Sequence, residues 1–323
     1  MKEYKWACIG CGHIANETAQ AMKAAGRSFY GVYSRTYNKA LSFAAEYGIE
    51  KVYESADGLF SDKDIDIVYV ATPHNRHIEY ILKAAESKKH ILCEKAITLN
   101  SDELSRAVKA CGDNGVILAE AMTVYHLPVL KEVSEYIKCG RLGRLKMIEV
   151  NLGSCKTYDM TNRFFNPALA GGAMLDIGVY ALSFVRYFFS ENASDISSVV
   201  KLAPTGVDEQ AVLLLKNSKD EMAGVTLSLT AKLPRTAVAS FENGYVQVES
   251  YNRSSYAEIT FNNGDDPIII TSDKSVSPLI YEIKDMESAV SGDNGMHLDY
   301  TTDVMELMTK FRKEWGVIYP EEK

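Results

Sequence analysis

The feature that most constrains the fold of this chain is a glycine-rich turn close to its start. Residues 10–15 read Gly-Cys-Gly-His-Ile-Ala and fit the pattern G-x-G-x-x-G/A. A short apolar run over 4–9 precedes the turn, and helical periodicity from about His13 to Ala25 follows it. Between a strand and a helix, such glycines let a ligand's phosphates approach the helix N-terminus. The turn therefore predicts dinucleotide binding, against the alternative of an ordinary tight turn.

The remainder of the first third alternates apolar runs with helical patterns. Strand-like runs cover 29–33, 65–71, 90–93 and 116–119, and helical patterns cover 38–47, 77–87 and 100–111. Asn100 and Glu103 have the spacing of a helix-capping pair. Because the runs are continuously apolar, the strands should be covered on both faces. We predict an α/β fold here, a doubly wound parallel sheet forming a dinucleotide-binding Rossmann domain over residues 1–122.

The pattern changes after residue 123. Helical segments are expected at 128–139, 174–189 and about 299–313. Alternating strands are expected at 147–152, 196–202, 210–215, 224–230, 236–241, 245–249 and 256–261. The sequence therefore predicts a C-terminal α+β domain over 123–323, with a large, mostly antiparallel open sheet that carries helices on one face.

Charge and composition exclude several classes of protein. The 323 residues carry a net charge of −8, from 35 Lys and Arg against 43 Asp and Glu, which disfavours nucleic acid as a partner. No uninterrupted apolar run approaches the ~18 residues of a membrane span, and no signal peptide is recognisable. The six cysteines are scattered and are expected to be free thiols. We expect a cytoplasmic protein without membrane contact.

The end of the second predicted strand indicates the type of dinucleotide. An NAD-preferring site places an acid there to hold the ribose 2′-hydroxyl. This chain has Ser34 and Arg35 instead, a hydroxyl donor and a planar cation that suit a 2′-phosphate. NADP(H) is therefore favoured. NAD(H) remains possible, because Arg35 could stack on the adenine instead.

Four further segments, together with the turn, resemble one family. They are residues 71–77 (Ala-Thr-Pro-His-Asn-Arg-His), 93–95 (Cys-Glu-Lys), 120–122 (Glu-Ala-Met) and 171–180, which begins Gly-Gly. In order and spacing they are similar to the glucose–fructose oxidoreductase/inositol dehydrogenase (Gfo/Idh/MocA) family, especially its trans-dihydrodiol and D-xylose dehydrogenase branch. The resemblance implies an NAD(P)-dependent dehydrogenase or reductase acting on CH–OH groups. Its substrate would be a secondary alcohol or carbonyl of a sugar, cyclitol or vicinal diol.

The resemblance implies three catalytic residues, Lys95, Asp176 and Tyr180. Lys95 follows an apolar strand, at the edge where doubly wound sheets bind ligands. Asp176 and Tyr180 lie four residues apart and so share a helix face, beside an apolar stripe of Leu175, Val179, Leu182 and Phe189. Tyr180 would take the hydroxyl proton, and a nearby Lys95 ammonium would lower its pKa from ~10. Taken singly, a lysine after a strand or an Asp/Tyr pair is more often a solvated surface feature.

The remaining site residues follow from the same motifs. The residues predicted to bind the cofactor are Gly10, Gly12, His13, Ile14, Ser34, Arg35, Thr72, Pro73, His74, His77, Glu94 and Lys95. The residues predicted to bind substrate are Lys95, Tyr125, Arg163, Asp176 and Tyr180, with a structural role equally open for Arg163. The chain departs from the family at Ala96, where proline is usual, and at Thr123 and Tyr125, where related dehydrogenases often carry Trp and Arg.

No metal is expected. His74 and His77 lack the third ligand that zinc needs, and His77 is expected to pack or to hydrogen-bond at the start of its helix. By analogy with the family, the second domain would bind substrate and form a homodimer or homotetramer through its sheet. Two alternatives remain open: a non-catalytic dinucleotide-binding sensor or regulator, and an NAD-dependent glycoside hydrolase of the same family.

Overall fold

The computed structural model describes residues 3–293 and 295–323, which form two compact units. The first unit contains the chain up to Ala121 together with Leu279–Leu298, and the second contains Met122–Pro278 and Asp299–Lys323. The first crossing between the units adjoins the predicted boundary at 122. The chain returns to the first unit at Leu279 and leaves it again after Leu298, and the single predicted boundary included neither of these two further crossings. The roles assigned to the two domains stay predictions.

The first unit is built on a parallel sheet. The strands described in this unit are β1 Trp6–Ile9, β2 Gly31–Tyr33, β3 Lys51–Tyr53, β4 Ile67–Val70, β5 His90–Glu94 and β6 Leu118–Ala121. They lie in the order β3-β2-β1-β4-β5-β6, and all neighbouring pairs are parallel. This order confirms the predicted doubly wound fold.

The helices of the first unit end where the sequence supplies stop signals. Gly48 and Gly115 end α2 (Tyr37–Tyr47) and α5 (Ser101–Asn114) in the left-handed conformation, and the Oδ1 of Asn100 accepts the N–H of Glu103 at 2.9 Å as the capping pattern predicts. The sequence missed β3 and α3 (Ala56–Ser61), because three- and six-residue elements are too short to show periodicity. It also missed the 12-residue helix α8 (Leu279–Val290). The helices are α1 His13–Ala24, α2 Tyr37–Tyr47, α3 Ala56–Ser61, α4 His77–Glu86, α5 Ser101–Asn114 and α8 Leu279–Val290.

The second unit is built on a wide, mostly antiparallel sheet. The strands described in this unit are β7 Leu145–Gly153, β8 Asp195–Leu202, β9 Asp208–Lys216, β10 Met222–Ser228, β11 Thr236–Phe241, β12 Gly244–Glu249, β13 Tyr256–Phe261 and β14 Ile268–Thr271. These eight strands lie in the order β14-β13-β12-β11-β7-β10-β9-β8. The β7 and β10 pair is parallel, and the other described pairs are antiparallel. Only β14 was not expected from the sequence.

One face of this sheet is covered by helices. The helices are α6 Pro128–Lys138, α7 Val179–Phe188 and α9 Leu298–Trp315. α7 packs on β7 and β10, and α6 packs on β13 and β14. A π-helical turn, Met174–Gly178, leads directly into α7. The side chains of Leu175, Val179, Leu182 and Phe189 are all buried, which confirms the predicted apolar stripe.

The sequence expectation about membrane spans needs one correction. Among the residues that are described, the segment Pro167–Phe188 is long and apolar enough to cross a bilayer by length and composition. However, 72% of its most apolar window is buried inside the protein. It is therefore a core segment of the second unit, and its apolar side chains are buried against the rest of that unit.

Candidate functional site

The glycine-rich turn joins β1 to α1, as the sequence predicts. Gly10 has a φ of +103°, a conformation that residues with a side chain rarely adopt. A Cβ on Gly10 would lie 2.3 Å from the carbonyl oxygen of Ala71, just after β4. The sheet order reverses between β1 and β4, and doubly wound sheets bind ligands at the carboxyl ends of such strands. Gly10 is therefore required for the turn to reach the ligand-binding edge.

Gly12 leaves the start of α1 open. No side chain caps the helix there, and within the described structure no heavy atom lies within 4 Å of the position that a Cβ would take. A diphosphate fits this cradle, because the first N–H groups of a helix and its dipole attract anions. Next to it, Ile14 is half-buried, and the exposed His13 places its Nε2 3.0 Å from an oxygen of Glu17.

The end of β2 carries cations and no acid. The Ser34 hydroxyl hydrogen-bonds the half-buried Cys11 thiol, whose pKa burial raises to about 11. Lys39, which the sequence did not single out, is close enough for its charge to oppose that rise. Arg35 is exposed, and no described carboxylate forms an ion pair with it. This edge can therefore accept a further phosphate.

His77 hydrogen-bonds the two turns that follow β4 and β5. Its ring is fully buried, with Nε2 2.8 Å from the Thr72 carbonyl oxygen and Nδ1 3.0 Å from that of Ala96. Burial lowers the pKa of His77, so the neutral ring donates to one carbonyl at a time. Both nitrogens face carbonyls, so neither is available to a metal. Direct contact of His77 with a cofactor stays a prediction.

Residues 72–74, which precede His77, differ in burial and in their contacts. Pro73 is exposed, and the His74 ring lies edge-on to His77, with the ring centroids 5.8 Å apart. The Thr72 hydroxyl is buried and has no hydrogen-bond partner among the described residues. Within 3–293 and 295–323, no three His, Cys, Asp or Glu side chains come together as metal ligands.

Glu94, the last residue of β5, faces the interior of the first unit. Its carboxylate is buried, and Oε1 accepts a 2.5 Å hydrogen bond from the Tyr69 hydroxyl. That hydroxyl also hydrogen-bonds the hydroxyl of Thr18 on α1, at 3.0 Å. Glu94 thus links β5, β4 and α1, and its contact with the cofactor stays a prediction.

Two buried side chains hold the turn that carries Lys95. Lys95 is half-buried directly after β5, and its peptide bond to Ala96 is cis. The Ala96 carbonyl faces His77, and the Ile97 N–H donates to Oε1 of Glu120 at 3.0 Å. Glu120 is 1% exposed and lies in a segment that the sequence singled out without assigning a role. Its role in the structure is to secure the backbone beside Lys95.

Asp176 lies in the π-helical turn of the second unit. Such turns are frequent at functional sites. Oδ1 of Asp176 is 3.1 Å from Nη2 of Arg163, and the two side chains are 13% and 57% exposed. The guanidinium also lies over the Phe164 ring, 4.6 Å from its centroid. The structure thus brings Asp176 and Arg163 together as an acceptor and a donor that could engage hydroxyl groups.

Tyr180 and Tyr125 have different environments. Tyr180 is half-buried in the first turn of α7 and stands outside the apolar stripe. Tyr125 is fully buried, with its ring 6.3 Å from that of Tyr187 and 5.8 Å from that of Tyr300, centroid to centroid. The burial indicates a packing role for Tyr125, and its contact with substrate stays a prediction.

Comparison with known proteins identifies both halves of the chain. Residues 4–122 match the family described as "Oxidoreductase family, NAD-binding Rossmann fold", and residues 130–247 match the GFO/IDH/MocA C-terminal domain. A trans-1,2-dihydrobenzene-1,2-diol dehydrogenase from Danio rerio is 30% identical over 251 residues, covering 76% of this chain and 75% of the relative. The Mus musculus enzyme of the same name is 29% identical, covering 76% and 74%.

Solved structures share the fold over nearly the whole length. An aldose–aldose oxidoreductase from Caulobacter crescentus, complexed with glycerol, superposes with a TM-score of 0.86 at 21% identity, covering 97% of each chain. A 3-ketoreductase from Actinomadura kijaniata in complex with NADP and TDP-benzene gives 0.84 at 19% identity, covering 97% of this chain and 98% of that one. At these identities the likeness establishes the fold alone. From the matched domains and the 30% identity to a relative over 76% of the chain, we conclude that this chain belongs to the GFO/IDH/MocA family of NAD(P)-binding oxidoreductases.

Proposed function

We propose that this protein is an NADP(H)-preferring dehydrogenase or reductase of a secondary alcohol or carbonyl on a sugar, cyclitol or vicinal diol. The observation that carries the proposal is the open cradle at Gly12 in a member of this oxidoreductase family. Relatives are named as a dihydrodiol dehydrogenase, an aldose–aldose oxidoreductase and a 3-ketoreductase. These names share the oxidation of a carbon-bound hydroxyl or the reduction of a carbonyl, and two of them name a diol and an aldose as the substrate class.

The preference for NADP(H) rests on the end of β2. Ser34, Arg35 and Lys39 supply a hydroxyl and two cations, and the acid that would hold a ribose 2′-hydroxyl is missing from this position. A 2′-phosphate gains from a guanidinium because the planar cation can donate two parallel hydrogen bonds.

The proposed chemistry assigns one task to each residue. When bound, the dinucleotide supplies the hydride acceptor or donor. Tyr180 takes the proton of the substrate hydroxyl in oxidation and returns it in reduction. Asp176 and Arg163 orient neighbouring hydroxyls, since a carboxylate and a guanidinium 3.1 Å apart offer both acceptors and donors. Lys95, half-buried directly after β5, is proposed as the third catalytic residue.

The test is a panel of trans-1,2-dihydrobenzene-1,2-diol, D-xylose, D-glucose and myo-inositol, assayed with NADP⁺ and NAD⁺ at the nicotinamide absorbance. Lys95→Met and Tyr180→Phe should lose at least 100-fold in kcat and keep NADPH affinity, measured by fluorescence, within two-fold. Lys109→Met and Tyr256→Phe are matched controls. Lys109 is exposed and paired with Asp113, and the Tyr256 hydroxyl donates to Glu258, two positions away on the same strand.

Three outcomes of the same assay would contradict the proposal. Near-normal kcat in both Lys95→Met and Tyr180→Phe would reject the proton-transfer assignment. NADPH binding without turnover of any panel member would favour the sensor. Cleavage of a glycoside without net reduction of the cofactor would favour the glycoside hydrolase.

The second unit is proposed to form a homodimer or homotetramer through its open sheet face. This face presents the exposed apolar side chains of Met147, Val199, Val212, Leu214 and Met222. Val199 pairs with Val212, and Met147 with Met222, in adjacent strands, so the side chains are contiguous. Contiguous exposed apolar surface of this kind marks interaction sites.

We also propose a cytoplasmic location. All six cysteines of the chain are free, and Cys139 and Cys155 are exposed. Exposed free thiols suit a reducing compartment, since an oxidising one would drive them to disulfides.

A further inference from the structure

The π-helical turn that contains Asp176, Met174–Gly178, is capped by a residue of strand β9. Asp208, the first residue of β9, is completely buried, and its Oδ2 accepts the Met174 N–H at 2.6 Å. A Cβ on Gly172 would lie 2.3 Å from Oδ1 of Asp208, and Gly172 has a φ of +125°. The carboxylate therefore lies directly against the turn and caps the first N–H groups of the helix.

The other side of the turn is held by the last part of the chain. The Tyr319 hydroxyl is buried and donates to the Gly171 carbonyl at 2.7 Å. The guanidinium of Arg312, 2% exposed, lies 4.4 Å from the Tyr319 ring centroid. Both Nη atoms of Arg312 donate to the Glu322 carboxylate, at 3.0 and 2.7 Å. This arrangement fixes Tyr319, and through it Gly171.

Three features make this contact more than a generic cap. Its members come from β9, from the helix start and from the C-terminal segment, so it forms only when these elements are assembled. The carboxyl of Asp208 is completely buried, so no water can replace it at the Met174 N–H if the contact is lost. The helix that it caps carries Asp176 two residues after Met174, and Tyr180 one turn further on.

We propose that Asp208 is a positioning residue of the substrate site, and that Tyr319 supports it on the opposite side of the Gly171–Gly172 turn. The inference rests on the proposed function, since it assumes that Asp176 and Tyr180 act on the substrate. A displacement of about 1 Å at a reacting group can cost ~100-fold in rate. Loosening the start of the helix should therefore lower kcat without changing cofactor affinity, because the cofactor cradle belongs to the first unit.

The experiment compares Asp208→Asn and Tyr319→Phe with Glu221→Gln. Glu221 is a matched control, because it is a buried carboxylate of the same unit that accepts the Ser190 N–H at 2.8 Å, just beyond the other end of the helix. Each variant is measured for kcat and KM with the best panel substrate, for NADPH affinity, for Tm, and for hydrogen–deuterium exchange of peptides covering 171–182. The exchange needs no substrate and reports on the helix start directly.

We expect Asp208→Asn to lose 10- to 100-fold in kcat, and Tyr319→Phe three- to ten-fold, with faster exchange over 173–176 and NADPH affinity within two-fold. Glu221→Gln should lower Tm with kcat within two-fold. Unchanged exchange in Asp208→Asn would overturn the positioning role. Unchanged kcat in that variant, with Tyr180→Phe inactive, would overturn only this inference. An active Tyr180→Phe would instead remove the proposed function and this inference with it.

Discussion

The buried carboxyl of Asp208 should make the free energy of unfolding depend on pH, and Asp208→Asn should remove this dependence. Burial raises the pKa of Asp208 to about 7 from an ordinary value of 3.8, against the opposing effect of the Met174 amide and the Arg312 charge. Between these two values, the folded protein keeps a proton that the unfolded chain has released. Stability therefore falls as pH rises from about 4 to about 7, and it is restored by acid.

The magnitude follows from the size of the shift. A shift of about three pKa units corresponds to about 4 kcal/mol at ~1.36 kcal/mol per unit, and about 3 kcal/mol of this falls between pH 5 and pH 8. Asp208→Asn keeps the size of the side chain but replaces one of the two carboxyl oxygens with an amide nitrogen and cannot ionise. The stability advantage of the unmodified protein over this variant should therefore shrink by about 3 kcal/mol from pH 5 to pH 8.

Urea unfolding followed by circular dichroism at pH 5, 6, 7 and 8 measures this difference. Other titrating groups contribute equally to both proteins and cancel in the comparison. Tyr319→Phe is the control, because it removes a buried hydrogen bond and should cost about 1–3 kcal/mol equally at each pH. A difference between the unmodified protein and Asp208→Asn that stays constant within about 1 kcal/mol would refute the reasoning.

Three further outcomes test the remaining parts of the site. Arg35→Ala should weaken NADPH binding at least ten-fold and NADH binding less than two-fold, and equal effects would contradict a 2′-phosphate contact. Gly12→Val should leave Tm nearly unchanged, because a Cβ at residue 12 meets no described atom within 4 Å. The same variant should weaken NADPH binding at least ten-fold. An unchanged affinity for NADPH would mean that the diphosphate binds elsewhere. Leu214→Lys should convert the protein to a monomer, as judged from the molar mass measured by light scattering. Ile318→Lys is the control, because Ile318 is similarly exposed but does not belong to the sheet, and it should keep the oligomer. The same molar mass for both variants would exclude this interface.

Much of the first unit was predictable because its signals are local. The Gly10 turn, the stop at Gly48 and the Asn100 cap each depend on a few consecutive residues whose backbone preferences hold in any context. The apolar strands likewise report burial directly. Short elements such as β3 were missed, since three residues define no period, and their pairing partner decides whether they form.

The fold class, the family resemblance and the residues at strand ends could all be predicted, because they follow from local patterns and their order. The side chains that support these residues could be identified from the folded structure alone. Glu120 reaches the Lys95 turn from the next strand, Asp208 caps a helix 34 residues earlier in the chain, and Tyr319 bonds a carbonyl 148 residues away. Such contacts depend on sheet order and register, which bring distant residues together without leaving a local signal.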